Sequence, residues 1–131
     1  MNLNKTELRV RYSDTDHFGV VYYANYLNWL EAGRTEILRD NGISYADFEK
    51  KGMFAPVVKV EVEWKSSARY DDIITVETKI EKIGNSSVEF SYNIIRKKDN
   101  LLLATAKTVN VFITKEGKTV RVPDEVRKIV K

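Results

Sequence analysis

Two aspartates stand in a short polar turn just ahead of the one long helical pattern in the chain. Asp14 and Asp16 belong to the run YSDTDHFGVVYYANY at residues 12–26, and Gly19 follows them. A carboxylate beside a helix start meets the positive end of the helix dipole and N–H groups without intrahelical partners, which keeps it ionised. The same N–H groups can donate to a carbonyl oxygen that becomes negative during a reaction. This order of residues favours transfer of an acyl group to water.

Other readings of these polar residues stay open at this point. On spacing alone, turn and cap roles are the more usual ones for both aspartates, and Asp14 is expected to be structural. His17 is the single histidine in the chain. Because it directly follows Asp16, Asp16 could not easily orient the His17 imidazole while both side chains face one substrate. Glu31 and Glu36, further along the helical pattern, are rival acids.

Composition excludes several other chemistries. The chain has no cysteine and one histidine, so thiolate nucleophiles, disulfides and imidazole clusters for zinc are ruled out, and no metal site is expected. Ser66 and Ser67 lack the glycine elbow and the free histidine base of a serine hydrolase. A net charge of +3, with 22 basic residues scattered among 19 acidic ones, suits a small anionic ligand and is too weak to indicate nucleic acid.

The length and hydropathy of the chain predict one domain over residues 1–131 with a real hydrophobic core. The first residues have no apolar core of the kind that a signal peptide needs. No apolar run approaches the roughly 20 residues of a membrane span. We therefore expect a cytoplasmic protein without membrane insertion.

A strand and a helix must position the polar turn. Leu8, Val10 and Tyr12 alternate with charged residues, which predicts a half-buried strand over residues 6–13 with these three on one face. From about residue 22 to 41 the apolar positions follow a helical period, with Gly33 on the same stripe. Glycine in mid-helix costs about 1 kcal/mol relative to alanine, which indicates close approach of the helix to a sheet.

Strands dominate the remainder of the chain. Alternation and turn residues predict four hairpin-linked strands and a C-terminal helix, at residues 57–67, 73–83, 87–96, 101–114 and 124–131. A single helical turn is expected at residues 46–50. Short turns force the four strands to be antiparallel. One helix lying across a curved antiparallel sheet is an α+β fold, and dimerisation would cover the remaining face and edges.

The pattern around the turn resembles the motif of the hotdog-fold acyl-CoA thioesterases. The similarity is to the branch of 4-hydroxybenzoyl-CoA thioesterase and the Tol-Pal-associated acyl-CoA thioesterase, and it covers roughly residues 5–125. Many positions agree in order and spacing: Tyr12-Ser13-Asp14-Thr15-Asp16, Gly19, Val21-Tyr22-Tyr23, Asn25-Tyr26-Leu27, Trp29-Leu30-Glu31-Ala32 and Ala68-Arg69-Tyr70-Asp71-Asp72.

This resemblance implies a five-stranded antiparallel sheet wrapped around one long central helix, plus a short C-terminal helix. It also implies a homodimer with active sites between the subunits, often paired again into a homotetramer. The catalytic carboxylate of the family matches Asp16, as nucleophile or as general base. The backbone N–H that polarises the thioester carbonyl matches Tyr23. No separate cofactor is expected, because CoA is part of the substrate.

Further site residues are expected around this pair. We expect contacts with the substrate from Phe18, Val20, Tyr22, Tyr26 and Glu31, although aromatic residues at helical spacing are more often core. The turn Gly84-Asn85-Ser86-Ser87 lacks the arginines that hold cofactor phosphates in the aromatic-acyl branch. Lys65, Arg69 and Lys82 are the substitutes predicted here. Many bacterial relatives have histidine in place of Tyr23, which would reshape the pocket rather than alter a backbone donor.

Two other functions fit the same fold. One is a non-catalytic acyl-CoA-binding module, which would bind CoA esters without turnover. The other is a hydratase or dehydratase, which acts on a carbon–carbon bond and uses a histidine with an acid in a different pattern. The acyl group itself, aromatic or aliphatic, is left open by the sequence.

Overall fold

The structure, a computed structural model, describes residues 2–16 and 18–130 of the chain. Its strands are β1 (Asn4–Arg9), β2 (Met53–Phe54), β3 (Val57–Trp64), β4 (Ile73–Ile83), β5 (Ser87–Arg96), β6 (Leu101–Val111) and β7 (Ile113–Thr114). The helices are α1 (Tyr26–Asp40), α2 (Tyr45–Lys50) and α3 (Asp124–Arg127), with 3₁₀ turns at Tyr12–Asp14, Tyr23–Asn25 and Lys128–Val130. Within the described ranges, no helix combines the length and hydropathy needed to cross a bilayer.

Five strands form one antiparallel sheet in the order β1-β4-β5-β6-β3, and β2 pairs with β7 in a small second sheet. The expected five-stranded antiparallel sheet is therefore confirmed. The expectation of four consecutive hairpins is wrong for one connection, because β3 pairs with β6 and not with β4. Both edges of β4 are already occupied by β1 and β5, so β3 must cross to the far edge of the sheet.

The long helix α1 packs across the inner face of the sheet, against β1 and β4. The buried side of α1 consists of Tyr26, Trp29, Leu30, Gly33, Ile37 and Leu38. A Cβ added at Gly33 would collide with the hydroxyl of Thr78 and lie 3.0 Å from the Val76 side chain, both on β4. The close approach of helix and sheet that the sequence indicated is confirmed.

We expect Gly33→Ala to destabilise the protein by about 1–3 kcal/mol, because overpacking a close contact outweighs the gain in helix propensity. Thr78 is fully buried and has little room to move aside. Urea denaturation followed by circular dichroism measures the change. Asn28→Ala, at an exposed position of α1, is the matched control and should be slightly stabilising. A Gly33→Ala protein as stable as the wild type would contradict the close packing.

The two ends of the fold differ from the prediction. The first strand ends at Arg9, and Tyr12 begins a 3₁₀ turn with its side chain 78% exposed, so it does not share the buried face of Val10. The predicted strand 101–114 is divided into β6 and β7, which belong to different sheets. The short C-terminal helix, by contrast, is confirmed, with its last residues in a 3₁₀ turn.

The inner face of the edge strand β3 is open. Val60 and Trp64 pair in register with Thr108 and Ala104 of β6, which are buried, yet their own side chains are 42% and 45% exposed. Because α1 packs on the inner face against β1 and β4, at the other end of the sheet, it leaves the inner face of β3 partly uncovered.

Candidate active site

The polar turn folds into a tight hairpin. Thr15 pairs with Val21, the Asp16 N–H donates to the Val20 carbonyl at 3.0 Å, and Gly19 takes the positive φ of +75° that closes the turn. Glycine adopts this φ without a steric penalty. The hairpin therefore sets Asp16 at its tip and leads directly into the helical segment that begins at Tyr23.

The Asp16 carboxylate is half-buried and held by one backbone donor. Its Oδ1 accepts a hydrogen bond from the Phe18 N–H at 2.9 Å. Among residues 2–16 and 18–130 no other backbone or side-chain group donates to this carboxylate, so within that range Oδ2 is open to a proton or to a carbon atom. The geometry suits a carboxylate that acts on a ligand arriving from the surface.

Asp14 has a different environment. It is buried, and its Oδ2 accepts the Arg11 N–H at 2.9 Å while its Oδ1 lies 3.6 Å from the Arg11 guanidinium. Its carbonyl accepts from the Tyr22 N–H at 3.0 Å and from the Asn25 side-chain amide at 2.8 Å. These hydrogen bonds stabilise the hairpin, so Asp14 has the structural role that the sequence indicated.

The helical segment begins without a cap. Tyr22 precedes the first turn and provides no side-chain cap, while the Asn25 N–H already bonds back to the Tyr22 carbonyl at 2.9 Å. Within the described part of the chain, the Tyr23 N–H makes no hydrogen bond. An unpaired N–H at the positive end of a helix is a donor available to an oxygen that gains negative charge.

The loop between β3 and β4 anchors the hairpin. The Val21 N–H donates to the Ala68 carbonyl at 2.9 Å, and the Ala68 N–H donates to the Tyr26 hydroxyl at 3.1 Å. Burial raises the pKa of the Tyr26 hydroxyl, so it stays a neutral phenol. Tyr26 is 2% exposed, and its hydroxyl stabilises the loop that holds the hairpin. This burial corrects the prediction that the Tyr26 side chain contacts the substrate.

Exposed aromatic side chains surround the start of the helical segment. The Tyr23 ring lies 4.8 Å from the Tyr22 ring and 6.0 Å, edge on, from the Trp64 ring of β3. Phe18 is exposed and Val20 is half-buried on the same hairpin. Of the predicted substrate contacts, Phe18, Val20 and Tyr22 thus lie on the hairpin or at its end, beside the predicted backbone donor Tyr23. The structure adds Trp64, which falls within the predicted strand 57–67 and was not among the predicted site residues.

Glu31, Glu36 and His17 were the rival catalytic residues. Glu31 is exposed on α1 and lines a separate cavity, together with Arg34. Glu36 is paired with Arg39 at 2.8 Å, which occupies its carboxylate. His17 lies outside the described residues.

The three predicted phosphate-binding residues do not form one cluster in a single chain. Lys65 and Arg69 are exposed on either side of the loop that anchors the hairpin, and the Lys65 ammonium is paired with Glu63. Lys82 lies at the far end of β4, roughly 30 Å along an extended strand from Ile73. Within one chain, Lys65 and Arg69 thus lie near the hairpin and Lys82 lies far from it, and the phosphate-binding role of all three stays a prediction.

Comparison with known proteins now decides the family. The profile of the Thioesterase-like superfamily matches residues 10–130. The chain belongs to this superfamily. YneP of Bacillus subtilis (strain 168) is 37% identical to it over 117 residues, which are 89% of the chain and 84% of YneP. The acyl-CoA thioesterase YbgC of Haemophilus influenzae is 35% identical over 123 residues, covering 92% of the chain and 88% of YbgC.

Solved structures agree with this assignment. The DHNA-CoA thioesterase of Staphylococcus aureus superposes with a TM-score of 0.92 at 31% identity, over 99% of the chain and 89% of its own length. The 4-hydroxybenzoyl-CoA thioesterase of Pseudomonas sp. strain CBS-3 superposes with a TM-score of 0.89 at 23% identity, which shows the shared fold. The chain is therefore a hotdog-fold member of a superfamily of thioester hydrolases.

Proposed function

We propose that this protein hydrolyses acyl-CoA thioesters to a free acid and CoA, with Asp16 as the reacting carboxylate. The observation that carries the proposal is the hairpin itself. It presents a half-buried carboxylate, and it leads into a helix start; among the described residues, Asp16 Oδ2 and the Tyr23 N–H have no hydrogen-bond partner. The names of the relatives, which are acyl-CoA thioesterases, support the same reaction.

In the proposed reaction the Tyr23 N–H donates to the thioester carbonyl oxygen as negative charge develops there. In one route Asp16 takes a proton from water while the water oxygen attacks the carbonyl carbon, and the C–S bond breaks to release CoA. In the other route Asp16 attacks the carbon itself, CoA leaves, and water hydrolyses the resulting anhydride. No separate cofactor or metal ion is needed in either route.

We infer that the protein works as a homodimer joined through β3. Both edge strands carry charged residues on their outer faces, but their inner faces differ, because α1 packs against β1 and leaves Val60 and Trp64 of β3 exposed. Exposed apolar side chains that lie together on one face favour burial against a second subunit. Pairing of two β3 strands would cover Val60 and close the open side of the aromatic surface around Tyr23. We also propose a homotetramer, on the resemblance to the thioesterase family, and a cytoplasmic location.

The purified protein is expected to release free thiol from acyl-CoA esters in a spectrophotometric assay with a thiol reagent. The panel should contain aromatic, short-chain and medium-chain esters, because the proposal predicts turnover of at least one class. Parallel incubation with enoyl-CoA esters, followed by chromatography, separates hydrolysis from hydration. Tight binding of CoA esters without thiol release would instead support the non-catalytic module.

A further inference from the structure

Trp64 is the last residue of β3, and its indole ring packs against the start of the helical segment. The ring stands edge-on to the Tyr23 ring at a centroid distance of 6.0 Å and edge-on to the Tyr26 ring at 5.9 Å. Aromatic rings at this separation favour the edge-on arrangement. Tyr23 begins the 3₁₀ turn and Tyr26 is the first residue of α1. One side chain of the sheet therefore contacts both ends of the turn that carries the Tyr23 N–H.

The 3₁₀ turn at Tyr23–Asn25 depends on side-chain packing for its position. In the described ranges, no side chain caps the start of this turn or the start of α1. The Asn25 side-chain amide donates to the Asp14 carbonyl at 2.8 Å, so it ties the turn to the hairpin and not to the sheet. Helix starts without caps fray. Contact with the Trp64 ring restrains the turn from the side of the sheet.

β3 fixes the backbone of Trp64. The residue pairs in register with Ala104 of β6, and directly beyond it the N–H groups of Lys65 and Ser66 both donate to the Leu103 carbonyl, at 2.8 Å and 3.1 Å. A side chain carried by a paired strand is placed more precisely than one carried by a loop. The Trp64 ring is therefore a rigid support against which the turn can be positioned.

We propose that Trp64 is a positioning residue that holds the Tyr23 N–H where it meets the thioester carbonyl oxygen. This proposal rests on the thioesterase function proposed above. A donor stabilises a developing oxyanion at a distance of about 2.7–3.1 Å, and loss of one such donor lowers kcat by about 10²–10³-fold. Misplacement by about 1 Å can lower the rate by about 10²-fold. Trp64 acts through the rings of Tyr23 and Tyr26, and this role needs no contact with the acyl group.

Trp64→Leu is expected to lower kcat for thioester hydrolysis by at least about tenfold and to change KM by less than about threefold, because the donor acts mainly in the transition state. The loss of kcat should agree within about threefold for every ester that the wild type cleaves, aromatic, short-chain or medium-chain, since all share the thioester carbonyl. Trp64→Phe keeps a ring that can stand edge-on, and it should restore kcat to within about threefold of the wild type. Thiol release measures all three.

Tyr12→Leu is the matched control. Tyr12 is an exposed aromatic residue close to the same hairpin, and its ring stands edge-on to the Tyr70 ring at 5.7 Å. Its loss should leave kcat and KM largely unchanged. Trp64→Val is a second variant without a ring, and its β-branched side chain suits a strand, so it should reproduce the effect of Trp64→Leu in a folded protein.

The backbone order of the turn tests the positioning role without any substrate. Nitrogen-15 relaxation should give order parameters near about 0.85, typical of rigid backbone, for the N–H groups of Tyr23, Ala24 and Asn25 in the wild type. In Trp64→Leu these values should fall toward about 0.6, while the Ile37 N–H further along α1 stays rigid. Trp64→Phe should keep the wild-type values.

The outcomes separate the two proposals. Wild-type kcat in Trp64→Leu, or unchanged order parameters at the turn, would overturn the positioning role while the hydrolase function stands. A rise in KM without a loss of kcat, or a loss of kcat that depends on the acyl group, would place Trp64 against the substrate and overturn it as well. So would a Trp64→Phe protein with the low kcat of Trp64→Leu. If the wild type cleaves no ester of the panel, the hydrolase function fails, and the order parameters still decide whether Trp64 holds the turn.

Discussion

Asp16→Asn is expected to lower kcat for thioester hydrolysis by at least about a hundredfold, the lower end of the effect of a general base, while the fold remains intact. The amide keeps the shape of the side chain and can still accept from the Phe18 N–H, the hydrogen bond that Asp16 Oδ1 makes with the described residues. It can neither take a proton from water nor attack a carbonyl carbon. Thiol release and thermal unfolding, measured on the same preparation, check both parts.

Asp14→Asn is the matched control, two residues away on the same hairpin. Asp14 is buried and paired with the Arg11 N–H and guanidinium, so this change is expected to lower the melting temperature more than it lowers kcat. Full activity in Asp16→Asn would remove Asp16 from the reaction. Equal losses of kcat in both variants, with equal losses of stability, would mean that the hairpin matters only as structure.

A single turnover in ¹⁸O-labelled water distinguishes the two routes available to Asp16. Attack by the carboxylate leaves label in Asp16 after the anhydride is hydrolysed, because water can attack the aspartyl carbon. Attack by water leaves label in the released acid alone. Mass spectrometry of the peptide that contains Asp16 reads the difference.

Under the proposed assembly through β3, Val60→Lys is expected to yield a monomer where the wild type is a dimer and to lower kcat/KM for thioester hydrolysis by at least about tenfold. The apolar inner face of β3 would then carry a charge that a subunit contact has to desolvate. The site would lose the neighbouring subunit that closes it. Sedimentation velocity and thiol release, measured at the same protein concentration, check the two effects together.

Glu61→Lys provides the control, because it places the same side chain one residue along the strand. Successive residues of a strand point to opposite faces, so Lys at position 61 lies on the outer face of the sheet, where Glu61 is exposed. It should leave the dimer and the activity largely unchanged. A Val60→Lys protein that remains dimeric with full activity would contradict the assembly through β3.

Much of the fold follows from local patterns in the sequence. The bounds of β4 and β5 agree with the predicted strands, and α1 with its preceding 3₁₀ turn occupies most of the predicted helix. Hydrophobic periodicity and turn residues report on such elements directly, because each depends on neighbours a few residues away. The structural role of Asp14 also follows from the sequence, because an aspartate in a turn before a helix usually accepts hydrogen bonds from nearby backbone N–H groups.

The errors arise where distant parts of the chain meet. Tyr26 was predicted to contact the substrate because it belongs to the run of aromatic residues at the start of the helix. Its side chain is instead buried, and its hydroxyl accepts from the Ala68 N–H, 42 residues away. Tyr12 was expected inside because it continues an alternating strand, yet the chain turns after Arg9. Periodicity carries no information on which side chain a remote loop will cover.

The sequence by itself determined the helix, the strands, the hairpin with Asp16 at its tip and, through its motif, the superfamily. Tertiary structure decided that β3 crosses to the free edge beside β6, that Trp64 joins the aromatic surface around Tyr23, and that Tyr26 is buried beneath the loop that anchors the hairpin. The physical reason is that strand pairing, burial and hydrogen-bond satisfaction are settled by competition among groups far apart in the chain. Local sequence fixes which groups exist, and packing fixes which of them are left for a ligand or a second subunit.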